Sequence, residues 1–270
     1  NDYIVIDHPS QSKQPTVSQI QTICHRNFGV GSDGILYGPL PSKKALYKLR
    51  IFNPDGSEAE KSGNGIRIFS RYLYDKKLVG NQTFTLETLG GIVSVTIFKR
   101  GHMIQVDMGR VSFLSTEIPI KIKATEAVEQ KITVGGRAFT FTGATIGNPH
   151  CVILLPTISP DIAKRYGPLL ERHCFFPNRT NVQFMKIIDK NNIRLELWER
   201  GAGYTLSSGS LSSAAAAVAY KLGRCAADIT AHMPGGSLLL HVDEDYAIRM
   251  TGPVTRVCEG EISAEVFTAS

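Results

Sequence analysis

Along most of the chain, hydrophobic and polar positions alternate in short runs that end at glycine, the pattern of half-buried strands. Residues 3–6, 46–52, 84–88, 92–98 and 103–108 are predicted strands of the first half. Residues 133–142, 151–155, 182–188, 193–199, 238–242 and 247–250 are predicted strands of the second. Residues 17–28 and 161–170 carry the helical period instead, and the first of these runs stops at Gly29. Asn53-Pro54-Asp55-Gly56 is a turn by composition.

Two further helices share a common opening. Ser62-Gly63-Asn64-Gly65 leads a helical run through Leu73, with Ile66, Phe69 and Leu73 on one face. Ser208-Gly209-Ser210 leads another through Leu222, with Leu211, Val218 and Leu222 placed likewise. Gly90-Gly91 follows Ser62 by 28 and 29 residues, and Gly235-Gly236 follows Ser208 by 27 and 28. After each glycine pair come an alternating strand and then a Met-containing strand that ends in glycine, at Gly109 and Gly252. Three elements in one order at matched spacing make an internal repeat. Two similar α/β lobes are therefore expected, with a boundary near residues 115–131.

Composition narrows the function. The 270 residues are 42% hydrophobic and 20% charged, which excludes disorder and is enough for a sizeable core. The net charge of +6 comes from scattered lysines and arginines, without a stripe interleaved with aromatics, so nucleic acid is not an expected partner. Five widely spaced cysteines, Cys24, Cys151, Cys174, Cys225 and Cys258, form no Cys-x-x-Cys pair. They point away from a disulfide framework or a zinc site and toward reduced thiols. No apolar run approaches membrane-spanning length and no signal-peptide pattern is present, so a cytoplasmic protein is expected.

The candidate chemistry sits at the repeat. A helix N-terminus presents unpaired N–H groups and a partial positive charge, so two Ser-Gly openings facing one ligand would cradle a carboxylate. Taken singly, each serine is also an ordinary N-cap. Asn148-Pro149-His150 precedes a buried-looking strand, where His150 is either a packing residue or a functional one. Glu199 and Arg200 end a strand just before the second Ser-Gly turn and read as ligand contacts, with Asn53 and Asn181 as further amide candidates at strand ends. Gly29-Val30-Gly31-Ser32-Asp33-Gly34 follows a helix and lacks the Walker lysine, so it is a poor phosphate loop. No His/Cys/Asp cluster has metal spacing, and no metal is expected.

These segments carry a family resemblance. The run from Asn53 through Ser62-Gly63-Asn64-Gly65-Ile66-Arg67 closely resembles the first active-site segment of diaminopimelate epimerases. Glu199-Arg200-Gly201-Ala202-Gly203-Tyr204-Thr205-Leu206-Ser207-Ser208-Gly209-Ser210 resembles the second. Gly147-Asn148-Pro149-His150, Asn181-Val182 and Pro234-Gly235-Gly236 resemble intervening segments, and the likeness spans essentially the whole chain. Asn1-Asp2-Tyr3 resembles the middle of the family's opening motif, so a short preceding piece is expected.

The resemblance implies an α/β (α+β) fold of two pseudo-symmetric lobes. Each would be a curved, mostly antiparallel sheet around a central helix, with the active site in the cleft between them. The implied first lobe is 1–116, joined by a returning C-terminal strand at about 259–270, and the second is 117–258. It also implies interconversion of LL- and meso-diaminopimelate for lysine biosynthesis, without cofactor or metal, by a cytoplasmic homodimer acting on a small amino-acid or dicarboxylic-acid substrate. Family members use two cysteines on opposite faces of the α-carbon, one removing a proton and the other supplying one. A thiol with a reference pKa of about 8.5 is tunable enough for both roles. Substrate contacts are implied at Asn1, Asn53, Gly63, Asn64, Asn148, Asn181, Glu199, Arg200, Gly209 and Ser210.

The positions that match the two cysteines hold Ser62 and Ser208. A serine hydroxyl is a far weaker acid than a thiol, and a poor base without a partner. Tyr204 stands where the family has glutamate, Leu211 and Ser213 replace small or cysteine residues, and Lys61 replaces an apolar one. Three readings follow: serines introduced to trap an inactive enzyme, a natural relative that kept the carboxylate cradle but lost two-base chemistry, or another proton transfer with Lys61, His150 or Glu199 as base. The spread of the substitutions favours natural divergence. The Tyr204 phenol is expected to alter the substrate by removing a charge that could steer an ammonium group.

Overall fold

The computed structural model describes residues 1–7 and 14–267. The chain forms two compact units, Asn1–Val106 together with the stretch from Gly252 onward, and Asp107–Thr251. In chain order the first carries β1 (Ile4–Ile6), α1 (Val17–Cys24), β2 (Ile35–Leu40), β3 (Tyr47–Phe52), β4 (Glu58–Ala59), α2 (Gly63–Asp75), β5 (Phe84–Thr88), β6 (Gly91–Phe98) and the start of β7 (Met103–Arg110). The second carries β8 (Gln130–Val134), β9 (Arg137–Thr145), β10 (Pro149–Leu154), α3 (Pro160–Glu171), β11 (Asn181–Asp189), β12 (Asn192–Glu199), β13 (Gly203–Thr205), α4 (Gly209–Lys221), β14 (Asp228–Met233), β15 (Gly236–Val242) and most of β16 (Ala247–Pro253).

The internal repeat extends to the whole topology. In the first unit the strands run β1-β2-β3-β5-β6-β7, with β4 beside β3. In the second they run β10-β11-β12-β14-β15-β16, with β13 beside β12, and the hairpin β8–β9 is added next to β10. Pair by pair the sense agrees: β1 and β10 lie parallel to the next strand, β2 and β11 antiparallel, and β3 and β12 parallel again. Helices α1 and α3 make the first parallel crossovers, and α2 and α4 make the second.

Each unit buries two sheet faces. In the first, Ile20, Ile23 and Cys24 of α1 pack on Ile35, Tyr37 and Phe52, while Ile66, Phe69 and Leu73 of α2 are fully buried. In the second, Ala163, Tyr166 and Leu170 of α3 pack on Phe139, Phe141, Val182 and Phe184. Helix α4 is buried on every side: Leu211, Ser212, Ser213 and all of Ala214–Ala217 are inaccessible to solvent. A helix without a polar face is a core element, and its alanines let strands approach closely on all sides.

Several sequence expectations are corrected. Residues 133–142 are not one strand: Gly135 and Gly136 both take positive φ, 55° and 73°, and turn the chain as a two-residue hairpin between β8 and β9. The first helix ends at Cys24 rather than Phe28, because the His25 ring accepts the amides of Asn27 and Phe28 and diverts the chain into a turn. The second unit starts at Asp107, ahead of the boundary expected near 115–131. Within it, Ile118, Ile120 and Ala127 join the core and Ser112 bridges to Thr145. The tail from 259 to 267 forms no strand; it returns to the first unit through Ile262 on the α1 cluster and a short 3-10 turn, Ala264–Phe267. Residues 268–270 of that expected strand lie outside the described residues. Strand β14 went unpredicted because alternating Ile229, Ala231 and Met233 are masked by a small residue and by His232.

Candidate active site

Helix α2 starts where Ser62, in extended conformation, turns its hydroxyl back onto the helix. Ser62 Oγ accepts the Gly65 amide at 3.1 Å, and the Tyr3 hydroxyl lies 3.4 Å away. Gly65 is confined, since a Cβ there would stand 3.0 Å from Leu36 Cδ2 and 3.2 Å from Ser62 Oγ. Beside the serine, Asn64 Nδ2 donates to Asn1 Oδ1 at 2.7 Å, while the buried Oδ1 of Asn64 finds no donor among the described residues. Asn1 is held in turn by Asp33 at 2.9 Å. Arg26 ties both oxygens of Asp2 to Asp33, and its hydrogen bond holds the Asp2 carboxyl below the usual range. Lys61, half-buried, immediately precedes Ser62. Asn53 is occupied within its own turn, where it donates Nδ2 to Ser57 Oγ and accepts the Gly56 amide.

Helix α4 starts at Ser208, also extended, but this hydroxyl does not cap its helix. It donates instead to Glu199 Oε1 at 3.2 Å. Burial raises the Glu199 pKa, and the Ser208 hydrogen bond opposes that rise. Gly209 and Ser210 supply the first amides of the helix, which have no intrahelical acceptor at any N-terminus.

His150 is fully buried and neutral. Its Nδ1 accepts from Gln183 Nε2 at 2.7 Å, and its Nε2 faces Asn148 Oδ1 at 2.8 Å. Gln183 also donates to the Leu211 carbonyl in α4, which fixes the amide orientation and makes His150 Nε2 the protonated nitrogen. Desolvation, with the Arg200 charge adding to it, drives the His150 pKa down to about 3. With both ring nitrogens engaged, His150 positions Asn148 and is not set up as a base. Asn181 is a backbone clamp: Nδ2 donates to the Pro149 carbonyl and Oδ1 accepts the Arg200 amide. Arg200 itself is exposed and donates to the Asn178 carbonyl.

The phenol of Tyr204 is a packing residue, which corrects the expectation that it alters the substrate by removing a steering charge. It pairs across from Trp198 on the α3 face of the sheet and donates to Glu196 at 2.6 Å. Glu199, one residue along from Trp198, alternates to the other face with Ser208.

The repeat recurs atom for atom beneath both serines. The Gly90 amide donates to the Glu60 carbonyl at 2.7 Å, and the Gly235 amide donates to the Leu206 carbonyl at 2.8 Å. Both acceptors lie two residues before the serine, and a Cβ on either glycine would sit 2.9 Å from that oxygen. All five cysteines are free and lie outside the two helix-opening segments in sequence; Cys24, Cys151 and Cys225 are buried, and desolvation pushes the Cys151 thiol well up. Among the described residues no cluster of three potential metal ligands occurs, and no helix is long and apolar enough to cross a membrane. Sequence reasoning did not single out Gln183 or Glu171; for Gln183 the signal was a polar residue inside the buried run Val182-Gln183-Phe184.

The diaminopimelate epimerase family matches residues 1–114 and 142–257. A protein called diaminopimelate epimerase 2 from Nostoc sp. is 57% identical over 268 residues, covering 99% of this chain and 94% of its own length. Diaminopimelate epimerase from Desulfitobacterium hafniense is 39% identical over 274 residues, covering 99% and 96%. Among solved structures, a hydroxyproline epimerase from Agrobacterium vitis superposes with a TM-score of 0.61 at 17% identity, over 83% of this chain and 74% of its own. A PhzC/PhzF-type protein from Clostridium difficile does so with 0.61 at 14% identity, over 97% and 92%, and these two likenesses establish the shared fold. Serines now stand at the helix starts, but the surrounding motifs, the repeat and the whole length of the chain agree: it belongs to the diaminopimelate epimerase family.

Proposed function

We propose that the chain binds diaminopimelate or a closely related amino acid, and that Ser62 and Ser208 leave it without effective two-base epimerisation. The observation that carries this reading is the engagement of the two hydroxyls. Ser62 Oγ accepts the Gly65 amide, and Ser208 Oγ donates to Glu199. Neither is the tunable acid that a thiol would be at the same place. The amides of Gly63, Asn64, Gly209 and Ser210 are suited to a carboxylate at helix N-termini. Asn1, Asn64 and Asn148 are the side chains we assign to the polar groups of the ligand, and the unpartnered Oδ1 of Asn64 suits a substrate ammonium. Asn53, Asn181 and Arg200 serve this reading by holding the turns that bear their neighbours.

A second reading has its own observation. Glu199 accepts from the helix-opening Ser208, and its raised pKa brings it nearer to neutrality. It therefore outranks His150, whose ring nitrogens are both engaged, as the base of a one-base isomerisation. Cofactor independence, a homodimer, a cytoplasmic location and a place in lysine biosynthesis are parts of the proposal that rest on the family resemblance.

The test is α-proton exchange with LL-diaminopimelate in deuterated water, read by NMR and chiral chromatography, beside calorimetric binding. Saturable binding without exchange is expected for the chain as it stands, and exchange is expected once Ser62→Cys and Ser208→Cys are combined. Exchange by the unsubstituted chain that disappears in Glu199→Gln would establish the one-base reading instead. Absence of binding would remove diaminopimelate as the ligand.

A further inference from the structure

Glu171, the last residue of α3, is only 4% exposed, and both of its carboxylate oxygens are used. Oε2 accepts the indole N–H of Trp198 at 2.7 Å, and Oε1 accepts the Gly201 amide at 3.2 Å. Arg179 approaches Oε1 at 3.8 Å from the surface. One turn earlier on the same face of α3, Gly167 leaves room for the indole, since a Cβ there would meet Trp198 Cγ at 2.5 Å. Helix α3 thus grips the end of β12 at two points, by contact at Gly167 and by hydrogen bonds at Glu171.

What lies between these points is Glu199. Trp198 precedes it and the Arg200–Gly201 turn follows it. The Arg200 amide goes to Asn181 Oδ1, the Gly201 amide goes to Glu171 Oε1, and the Ala202 amide closes on the Glu199 carbonyl at 3.1 Å. Three successive amides after Glu199 are therefore fixed, two of them by buried side-chain acceptors. Alternation then sends the Glu199 side chain to the opposite face of the sheet, where Ser208 donates to it.

We propose that Glu171 is the positioning residue that sets Glu199 against the start of α4, acting from the other face of the sheet through Trp198 and the Gly201 amide. The proposal rests on the role given above to Glu199 and Ser208. Its requirement is chemically narrow: two donors converge on one side chain, so two acceptor oxygens are needed. Glutamine would turn an NH2 toward one of those donors and lose that bond.

The test reads the Glu199 position through a neighbouring thiol. In full-length protein carrying Ser208→Cys and labelled with [13Cβ]cysteine, the new resonance is followed against pH. A carboxylate at its side holds a thiol pKa up, so Glu199→Gln is expected to lower it by at least about half a unit. Glu171→Gln is expected to lower it in the same direction, and to add nothing when Glu199→Gln is already present. A merely structural Glu171 would lower the melting temperature and leave the thiol pKa in place, which overturns the proposal. A Glu171→Gln shift that persists without Glu199 would show a direct charge effect, and it also overturns the proposal. If Glu199→Gln itself moves nothing, the Glu199–Ser208 pairing fails and the role of Glu171 falls with it, a failure separable from the other two. Should Glu171→Gln not fold, Trp198→Phe removes the donor to Oε2 and keeps the Gly201 bond to Oε1; a smaller downward shift supports the proposal, and none rejects it.

Discussion

Ser208 donates its hydroxyl to Glu199 across 3.2 Å, so the residue that opens α4 serves a half-buried carboxylate and leaves its own helix uncapped. Glu199 has a folded-state pKa raised by burial, and its ionisation therefore opposes folding. The folded state binds more protons than the unfolded chain in this window, so the Glu199 contribution is fully present below about pH 4.3 and is lost as pH rises through the raised value. The melting temperature of Glu199→Gln minus that of the parent is expected to grow between pH 4 and pH 7. A difference that shrinks over that range would contradict the assignment.

His150 behaves in the opposite sense. Its pKa is depressed to about 3 by desolvation and the Arg200 charge. The stability that comes from burying it neutral is present above about pH 6.5 and is lost at up to about 1.4 kcal/mol per pH unit below that. Two-bond 1H–15N spectra at pH 5 are expected to show His150 as the neutral Nε2–H tautomer. A signal titrating near pH 6.5 would exclude the hydrogen-bond pattern with Gln183 and Asn148.

The two opening serines are expected to differ when truncated. Ser62→Ala removes a cap on the Gly65 amide and is expected to cost about 1 kcal/mol. Ser208→Ala removes no cap. It is expected instead to raise the Glu199 pKa further, and carboxylate NMR titration of both variants measures the contrast.

Gly90→Ala and Gly235→Ala are each expected to destabilise by about 1–3 kcal/mol, because the added methyl meets a carbonyl oxygen at 2.9 Å and backbone must move. Gly80→Ala is the control, with open space around it, and is expected within about 0.5 kcal/mol of the parent. Denaturant titration of the three variants decides, and equal stabilities would show that the glycines are not pinned.

Gly167→Ala sets two effects against each other. Helix propensity favours alanine by about 1 kcal/mol. The methyl, however, would lie 2.5 Å from the Trp198 ring in a packed interface, where overpacking costs about 1–3 kcal/mol or more. Net destabilisation with a shifted emission of the single tryptophan is expected, and a gain in stability would reverse the order of the two effects.

Much of this was legible in the chain. The Ser-Gly helix openings, the glycine pairs and the strands after them follow from period and punctuation, and these signals are local. The boundary falls earlier than expected because residues 115–131 look polar, while Ile118, Ile120 and Ala127 find their core partners far along the chain. Tyr204 carries an expectation about the ligand only because it stands where the family has glutamate. In a strand, neighbours face opposite sides, and only the pairing with Trp198 shows which side is which. Glu171 was invisible for a related reason: its function lies in contacts to Trp198 and Gly201, 27 and 30 residues away.

The glycine anchors beneath the two serines consist wholly of main-chain atoms: Gly90 meets Glu60, and Gly235 meets Leu206, through N–H and C=O alone. A glutamate and a leucine hold equivalent places in the two halves without disturbing them. The main-chain anchor of each turn is thus independent of which side chain its acceptor residue carries. An anchor of this kind holds the two helix starts in place whatever reactive group stands at residues 62 and 208, so the scaffold does not depend on the chemistry it carries.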